Sequence, residues 1–152
     1  MIRVFCLIAI IVLPAPLFAQ ETPVSSVTLD HIALSVQDVD RSVDFYRKIF
    51  GLTEITNRTE VDGIRWLALG EGKELHLISV VKEPVSLNKA LHFAVTTPEF
   101  DGFVEVLRQS RVDFSNWAGS PGEVTARADG TRQIYIQDPD GNWIEVNSTA
   151  AD

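Results

Sequence analysis

The stretch that decides the fold is HIALSVQDVDRSVDFYRKIFGL, residues 31–52. From His31 onwards polar or small residues alternate with apolar ones, which is typical of a β-strand with one buried face. Asp38 or Asp40 is suited to cap a following helix, and Gly51 is suited to end it. Apolar side chains recur at helical spacing between them. They are Val39, Val43, Tyr46 and Phe50.

The segments that follow predict strands. Residues 53–81 contain three strand candidates, separated by the plausible turns EVDG and GEGK. After the linker EPVSLNKA, residues 83–90, the stretch LHFAV nearly repeats the first strand and again carries a histidine. A second helical stripe occupies EFDGFVEVLRQSRV, residues 99–112, and the turn DPDG precedes a last strand, NWIEVNS.

This order indicates an internal duplication. We expect an α+β fold of two paired βαβββ modules, about residues 29–84 and 89–148, within one domain at 29–152. The length of 152 residues suits one domain, or two small modules fused. The net charge of −8 disfavours nucleic acid and anionic membranes as partners, because both attract basic patches.

The N-terminus is expected to be a secretory signal peptide, residues 1–19, followed by an extension at 20–28. Arg3 precedes an apolar run, and Ala19 is a suitable last residue before cleavage. The run is too short for a stable transmembrane helix, although a retained anchor stays open as an alternative. Cys6 is the only cysteine and would leave with the signal. We therefore expect an exported, periplasmic protein whose mature chain has no transmembrane segment.

The three histidines and one glutamate hold corresponding positions in the two modules. His31 and His92 begin the first strands, and His76 and Glu145 lie in the last strands. Imidazole and carboxylate suit one divalent ion such as Zn²⁺, Ni²⁺, Fe²⁺ or Mn²⁺. The alternative is hydrogen-bonded histidines and a solvent-facing glutamate, which is common for single residues of these types.

Four stretches resemble the vicinal oxygen chelate superfamily of glyoxalases, extradiol dioxygenases and bleomycin resistance proteins. They are HIALSVQDVDRSVDFYRKIFGL, KELHLI, LHFAV and QIYIQDPDGNWIEV. The resemblance implies paired modules that curl into a cleft, the glyoxalase/dioxygenase fold, and a homodimer. It also implies a small substrate that chelates one divalent metal through two adjacent oxygens, with the metal as Lewis acid. The implied metal ligands are His31, His76, His92 and Glu145.

Departures from glyoxalase I narrow the function. That enzyme usually has glutamate at the position of His76, so Glu145 is the only carboxylate in place as the base; Glu74 lies on the same strand face but off register. The usual glutathione anchors are replaced by Ser35 and Val80. These departures argue against a lactoylglutathione lyase and strengthen the dioxygenase alternative. Our interpretation is a glyoxalase-like lyase or isomerase that acts on a small substrate chelated through adjacent oxygens.

Two alternatives stay open. An extradiol-type Fe(II) dioxygenase would use His31, His92 and Glu145 as its iron ligands. His76 would then act as acid or base, with Tyr135 as a further catalytic candidate ten residues before the glutamate. A non-catalytic protein that binds a small molecule such as an antibiotic would instead use aromatic and cationic side chains. Those candidates are Trp66, Trp117, Trp143, Arg65, Arg127 and Arg132.

Overall fold

A computed structural model describes residues 27–149 as two β-sheets and two helices. The predicted signal peptide and most of the predicted extension lie outside these residues. No helix within residues 27–149 is long and apolar enough to cross a membrane. The elements are β1 (His31–Ser35), α1 (Val39–Phe50), β2 (Thr53–Ile55), β3 (Ile64–Gly70), β4 (Lys73–Ile78), β5 (His92–Thr97), α2 (Phe100–Ser110), β6 (Phe114–Ser115), β7 (Thr125–Ala126), β8 (Arg132–Gln137) and β9 (Trp143–Ser148).

Helix α1 begins and ends where its sequence predicts. The Asp38 carboxylate accepts hydrogen bonds from the backbone N–H groups of Asp40 and Arg41, both at 3.1 Å. Gly51 ends the helix with a φ of 66°, a left-handed conformation that glycine adopts without a steric penalty. The helix buries Val43 and Tyr46 against the core.

The strand order confirms the duplication. The first sheet has the order β1-β4-β3-β2 and the second the order β5-β9-β8-β6, with the short β7 added on β8. In each module the first and last strands are parallel neighbours. The second module thus contains one two-residue strand more than the predicted βαβββ pattern. In both sheets the first strand is an edge strand.

The two modules share one hydrophobic core. Apolar faces of both sheets and both helices contribute to it, and Phe50 of α1 contacts Phe103 of α2 with ring centroids 5.3 Å apart. The DPDG turn of the second module binds the first helix. The Tyr46 hydroxyl donates to Asp138 at 3.0 Å, and the Ser42 hydroxyl donates to Asp140 at 2.8 Å. The turn therefore joins the modules as well as connecting β8 to β9.

Candidate metal centre

The four predicted ligands form two pairs at equivalent places in the two sheets. In the first module Ala33 on β1 lies opposite His76 on β4, two residues after His31. In the second, Ala94 on β5 lies opposite Glu145 on β9, two residues after His92. We call His31 with His76 the first half-site, and His92 with Glu145 the second half-site.

Parallel rings dominate the first half-site. The rings of His31 and His76 stack with centroids 4.3 Å apart and an interplanar angle of 13°. The Trp66 ring of β3 stacks on the other face of His76, with ring centroids 4.0 Å apart and an interplanar angle of 7°. The guanidinium carbon of Arg58 lies 4.6 Å from the Trp66 centroid. Trp66, proposed from sequence as a ligand-binding residue, is here a buried wall of the half-site.

Carboxylates hold both histidines of the first half-site. His31 Nδ1 lies 2.8 Å from an Asp30 oxygen, and His76 Nε2 lies 2.8 Å from Glu74 Oε2. Arg58 binds the other Glu74 oxygen at 2.7 Å. Hydrogen bonding to His76 and Arg58 lowers the pKa of Glu74.

The prediction from sequence set Glu74 aside as a base and did not name Arg58. Glu74 lies opposite His31, two residues before His76 as expected, and its hydrogen bond to His76 makes it part of the half-site. The available signal was its place two residues before His76 on one strand face. Arg58 comes from the loop before β3, and no periodicity connects it to the site.

The second half-site is held by a chain of hydrogen bonds. Glu145 accepts from the Tyr135 hydroxyl through Oε2 and from the Asn147 amide through Oε1, the latter at 2.8 Å. The Gln133 amide donates to the Tyr135 oxygen at 2.9 Å. Burial and the bond to Glu145 raise the pKa of Tyr135. These hydrogen bonds therefore bring Tyr135 and Glu145, both candidate catalytic residues from the sequence, into contact and keep the Tyr135 phenol protonated.

The geometry of His92 fits a bound cation. His92 Nδ1 lies 2.7 Å from the Lys89 carbonyl oxygen, which only accepts, so Nδ1 carries the proton. Nε2 then faces Glu145 Oε2 at 3.2 Å. Two ligands bound at about 2.1 Å to one metal lie about 3.0–3.4 Å apart in octahedral or tetrahedral geometry. The outward hydrogen bond from Nδ1 to a carbonyl is also typical of metal-binding histidines.

The two half-sites do not converge within the described chain. No group of three His, Cys, Asp or Glu side chains between residues 27 and 149 is arranged to hold a metal ion. In the first half-site, the lone pair of each imidazole nitrogen lies in the plane of its own ring, so two stacked, parallel rings do not direct their lone pairs at one point. A metal shared by His31 and His76 would therefore require the rings to leave their stack. The chemistry of the donors fits a metal in both half-sites, and the geometry fits it in the second.

Two buried side-chain atoms in the described residues have no hydrogen-bond partner, and each lies beside a half-site. Asn147 Oδ1 is one of them; its amide nitrogen faces the Glu145 carboxylate, which fixes the orientation of the amide. Trp66 Nε1 is the other, in the ring stacked on His76. Unpaired buried polar atoms are costly, so each is suited to a substrate group or water.

Of the other sequence candidates, the three arginines are already paired. Arg65 binds Glu54 and Asp40. Arg127 binds Asp129 and Arg132 binds Asp101. The arrangement leaves them engaged as surface ion pairs rather than directed at a ligand.

Trp117 and Trp143 lie beside the second half-site. The Trp117 ring meets His92 edge-on at 6.3 Å. A cavity of about 380 Å³ is lined by His92, Trp143, residues 32–35 of β1 and the linker residues Val85 and Leu87. Ser35, at a glutathione-anchor position, lines this cavity, and Val80, at the other, is 49% exposed.

Comparison with known proteins identifies relatives of this chain. A family model, Glyoxalase/Bleomycin resistance protein/Dioxygenase superfamily, matches residues 28–146. Virulence protein STM3117 of Salmonella typhimurium is 28% identical over 78% of this chain and 82% of its own. Metallothiol transferase FosB of Staphylococcus epidermidis is 25% identical over 80% of this chain and 81% of its own. Among solved structures, oxidase ChaP-H1 superposes with a TM-score of 0.65 at 26% identity, covering 81% of this chain and 96% of its own.

Proposed function

Because the chain belongs to the Glyoxalase/Bleomycin resistance protein/Dioxygenase superfamily, we propose that it is a divalent-metal-dependent enzyme of glyoxalase type. It acts as a lyase or isomerase on a small substrate that is chelated through two neighbouring oxygens. The observation that carries the proposal is the His92–Glu145 pair, whose facing atoms lie 3.2 Å apart, as two ligands of one metal do.

The residues of the second half-site have distinct roles in this proposal. His92 binds through Nε2, since its Nδ1 is occupied by the Lys89 carbonyl. Tyr135 and Asn147 keep Glu145 in position by donating to its two oxygens. A bound metal supplies Lewis-acid stabilisation of developing oxyanion charge. Glu145 is the candidate base once one of its two hydrogen bonds is released.

The first half-site offers a second proton carrier. His76 shares a hydrogen bond with Glu74 through Nε2, and Arg58 holds that carboxylate from its other side. A carboxylate that orients a histidine in this way is the usual arrangement of an acid–base pair. His76 therefore acts as ligand when its ring turns out of the stack, and as acid or base when it stays there.

We place the complete centre between two copies of the chain. The half-sites do not converge among residues 27–149, and both β1 and β5 are edge strands. Three exposed valines and one exposed leucine lie after β4, on the linker and directly before β5, where a second copy would cover them. They are Val80, Val81, Val85 and Leu91. His31 of one copy would then complete the second half-site of the other.

Subunit mixing tests this placement. His31→Ala and His92→Ala proteins should each lose high-affinity metal binding. Unfolding and refolding them together should restore one intact site in each mixed dimer if the site spans two copies. No recovery of metal binding in mixed dimers would place the site within one chain.

Metal analysis tests the function itself. Wild-type protein purified without chelator should carry about one divalent ion per chain. Glu145→Gln should lower occupancy at least tenfold, whereas the control Glu83→Gln, at an exposed carboxylate, should not change it. Wild-type protein without metal, even after incubation with Zn²⁺, Ni²⁺, Fe²⁺ or Mn²⁺, would refute the proposal.

A second candidate is an extradiol-type dioxygenase. The contact between Glu74 and His76 favours it, because it leaves His31, His92 and Glu145 as a set of two histidines and one carboxylate. Tyr135 then lies against the carboxylate ligand as a further acid. Oxygen uptake with Fe²⁺ and catechol would support this candidate. Isomerisation with Zn²⁺ or Ni²⁺ and no oxygen uptake would support the first.

A further inference from the structure

Trp117 lies unusually exposed beside the second half-site. Its side chain is 52% exposed, although an indole is among the costliest side chains to leave in water. The ring centroid lies 6.3 Å from that of His92 and 5.5 Å from that of Tyr135, in edge-on contacts. About half of the Trp117 residue therefore remains exposed to solvent beside His92, a proposed metal ligand.

The loop that carries Trp117 is braced. The Asn116 backbone N–H donates to Ser120 at 3.2 Å, and the Gly119 N–H donates back to Asn116 at 3.1 Å. The Asn116 side chain accepts from the Ser120 N–H at 2.9 Å. The exposed indole is thus displayed by a hydrogen-bonded turn rather than by a loosely held segment.

Lys89 connects this loop to the second half-site. Its ammonium donates to Ser115 Oγ at 3.1 Å and to the carbonyls of Asn116 and Trp117 at 2.8 and 3.3 Å. None of these partners is a carboxylate. The backbone oxygen of the same lysine accepts from His92 Nδ1. One residue therefore positions both the indole and a proposed metal ligand.

Resting on the proposed function, we propose that Trp117, positioned by Lys89, determines substrate specificity. It selects molecules whose two neighbouring oxygens are carried on a planar conjugated ring. A ligand that chelates a metal held by His92 and Glu145 would lie beside the exposed indole, since the Trp117 ring contacts both His92 and Tyr135. A flat ring gains offset stacking there, whereas an aliphatic chelator of the same donor set gains little.

Two chelators separate ring recognition from metal binding. Tropolone carries its neighbouring oxygens on a conjugated ring, and acetohydroxamate carries them without a ring. Trp117→Ala should weaken tropolone binding about tenfold and acetohydroxamate binding less than twofold, measured by calorimetry on metal-loaded dimer. Trp117→Phe should retain tropolone affinity within about threefold. Val106→Ala, at an exposed valine on α2, is the control and should change neither affinity.

Lys89→Met tests the positioning residue. It keeps the length of the side chain and the backbone contact to His92 but removes three hydrogen bonds to the loop. Tropolone affinity should fall nearly as far as in Trp117→Ala, while metal occupancy should stay at the wild-type level. A tropolone affinity like wild type in this variant would refute the role of Lys89.

The outcomes distinguish this inference from the proposed function. Metal-loaded protein that loses equal affinity for both chelators in Trp117→Ala, or none, overturns the inference alone. Dissociation of the dimer in Trp117→Ala would assign the indole to the subunit interface and also overturn it. A wild-type protein that binds no metal refutes the proposed function. In that case, quenching of tryptophan fluorescence by tropolone that is lost in Trp117→Phe would still support ring recognition by Trp117. No quenching in the wild-type protein would refute ring recognition as well.

Discussion

Tyr46→Phe should weaken the connection between the two modules. The ring is 1% exposed and stays in place, so the substitution removes only the hydroxyl that donates to Asp138 at 3.0 Å. Hydrogen bonds to ionised groups contribute about 1.5–3 kcal/mol each. Asp138 keeps three other donors, the backbone N–H groups of Asp140 and Asn142 and the Asn142 amide. The carboxylate is not left bare, and the expected loss is therefore about 1.5 kcal/mol.

Urea denaturation measures this loss. At equal protein concentration, the denaturation midpoint should fall with an unchanged m-value. The melting temperature should fall by about 6 °C. Ser86→Ala removes an exposed hydroxyl and should change the free energy of unfolding by less than about 0.5 kcal/mol. A loss below about 0.5 kcal/mol in Tyr46→Phe would refute the turn as a connection between modules.

Three further predictions follow from other parts of the chain. In a Tyr135→Phe protein Tyr46 is the only tyrosine, and burial raises its pKa above the usual 10.0. The stability that comes from the neutral phenol is therefore fully present below pH 10 and is lost as the pH rises further. Absorbance at 295 nm should show ionisation of Tyr46 only together with unfolding, and reversible ionisation in the folded protein near pH 10 would contradict this. Gly63→Ala should destabilise the protein by about 2 kcal/mol, because φ is 82° and an added Cβ would lie 2.9 Å from Ser79 Oγ. Gly70→Ala, where φ is 92° and no atom lies near the added Cβ, should destabilise it by about 1 kcal/mol. Equal losses of stability in thermal melts would contradict this reasoning. Expressed in a Gram-negative host, the protein should be recovered from the periplasm with Gln20 as its first residue by N-terminal sequencing, and an intact N-terminus in the cytoplasm would contradict the predicted signal peptide.

The module architecture and the equivalent strand positions of the four proposed metal ligands could be predicted from sequence, because both follow from local periodicity and the repeat. Strand alternation places His31 and His92 on equivalent strands, and the repeat then pairs them with His76 and Glu145. The register confirms this equivalence, with Ala33 opposite His76 and Ala94 opposite Glu145. The helix bounds at Asp38 and Gly51 likewise depend on short-range hydrogen bonds and backbone conformation.

The remaining features of the site depend on contacts between distant segments. The column of His31, His76 and Trp66 is set by side-chain conformations across three strands, which no spacing in the sequence specifies. Lys89 lies in the predicted linker, where its sequence context indicates only a connection, yet its backbone orients His92. Such roles follow from the packing of the two modules and not from the repeat.

The most direct test of the proposed metal centre is anomalous diffraction from crystals of the protein grown with Zn²⁺. We predict one metal peak per chain, about 2.0–2.2 Å from His92 Nε2 and from a Glu145 oxygen, with His31 of a second copy as a further ligand. A structure in which these side chains bind no metal, and the His92–Glu145 contact remains a simple hydrogen bond, would contradict the account.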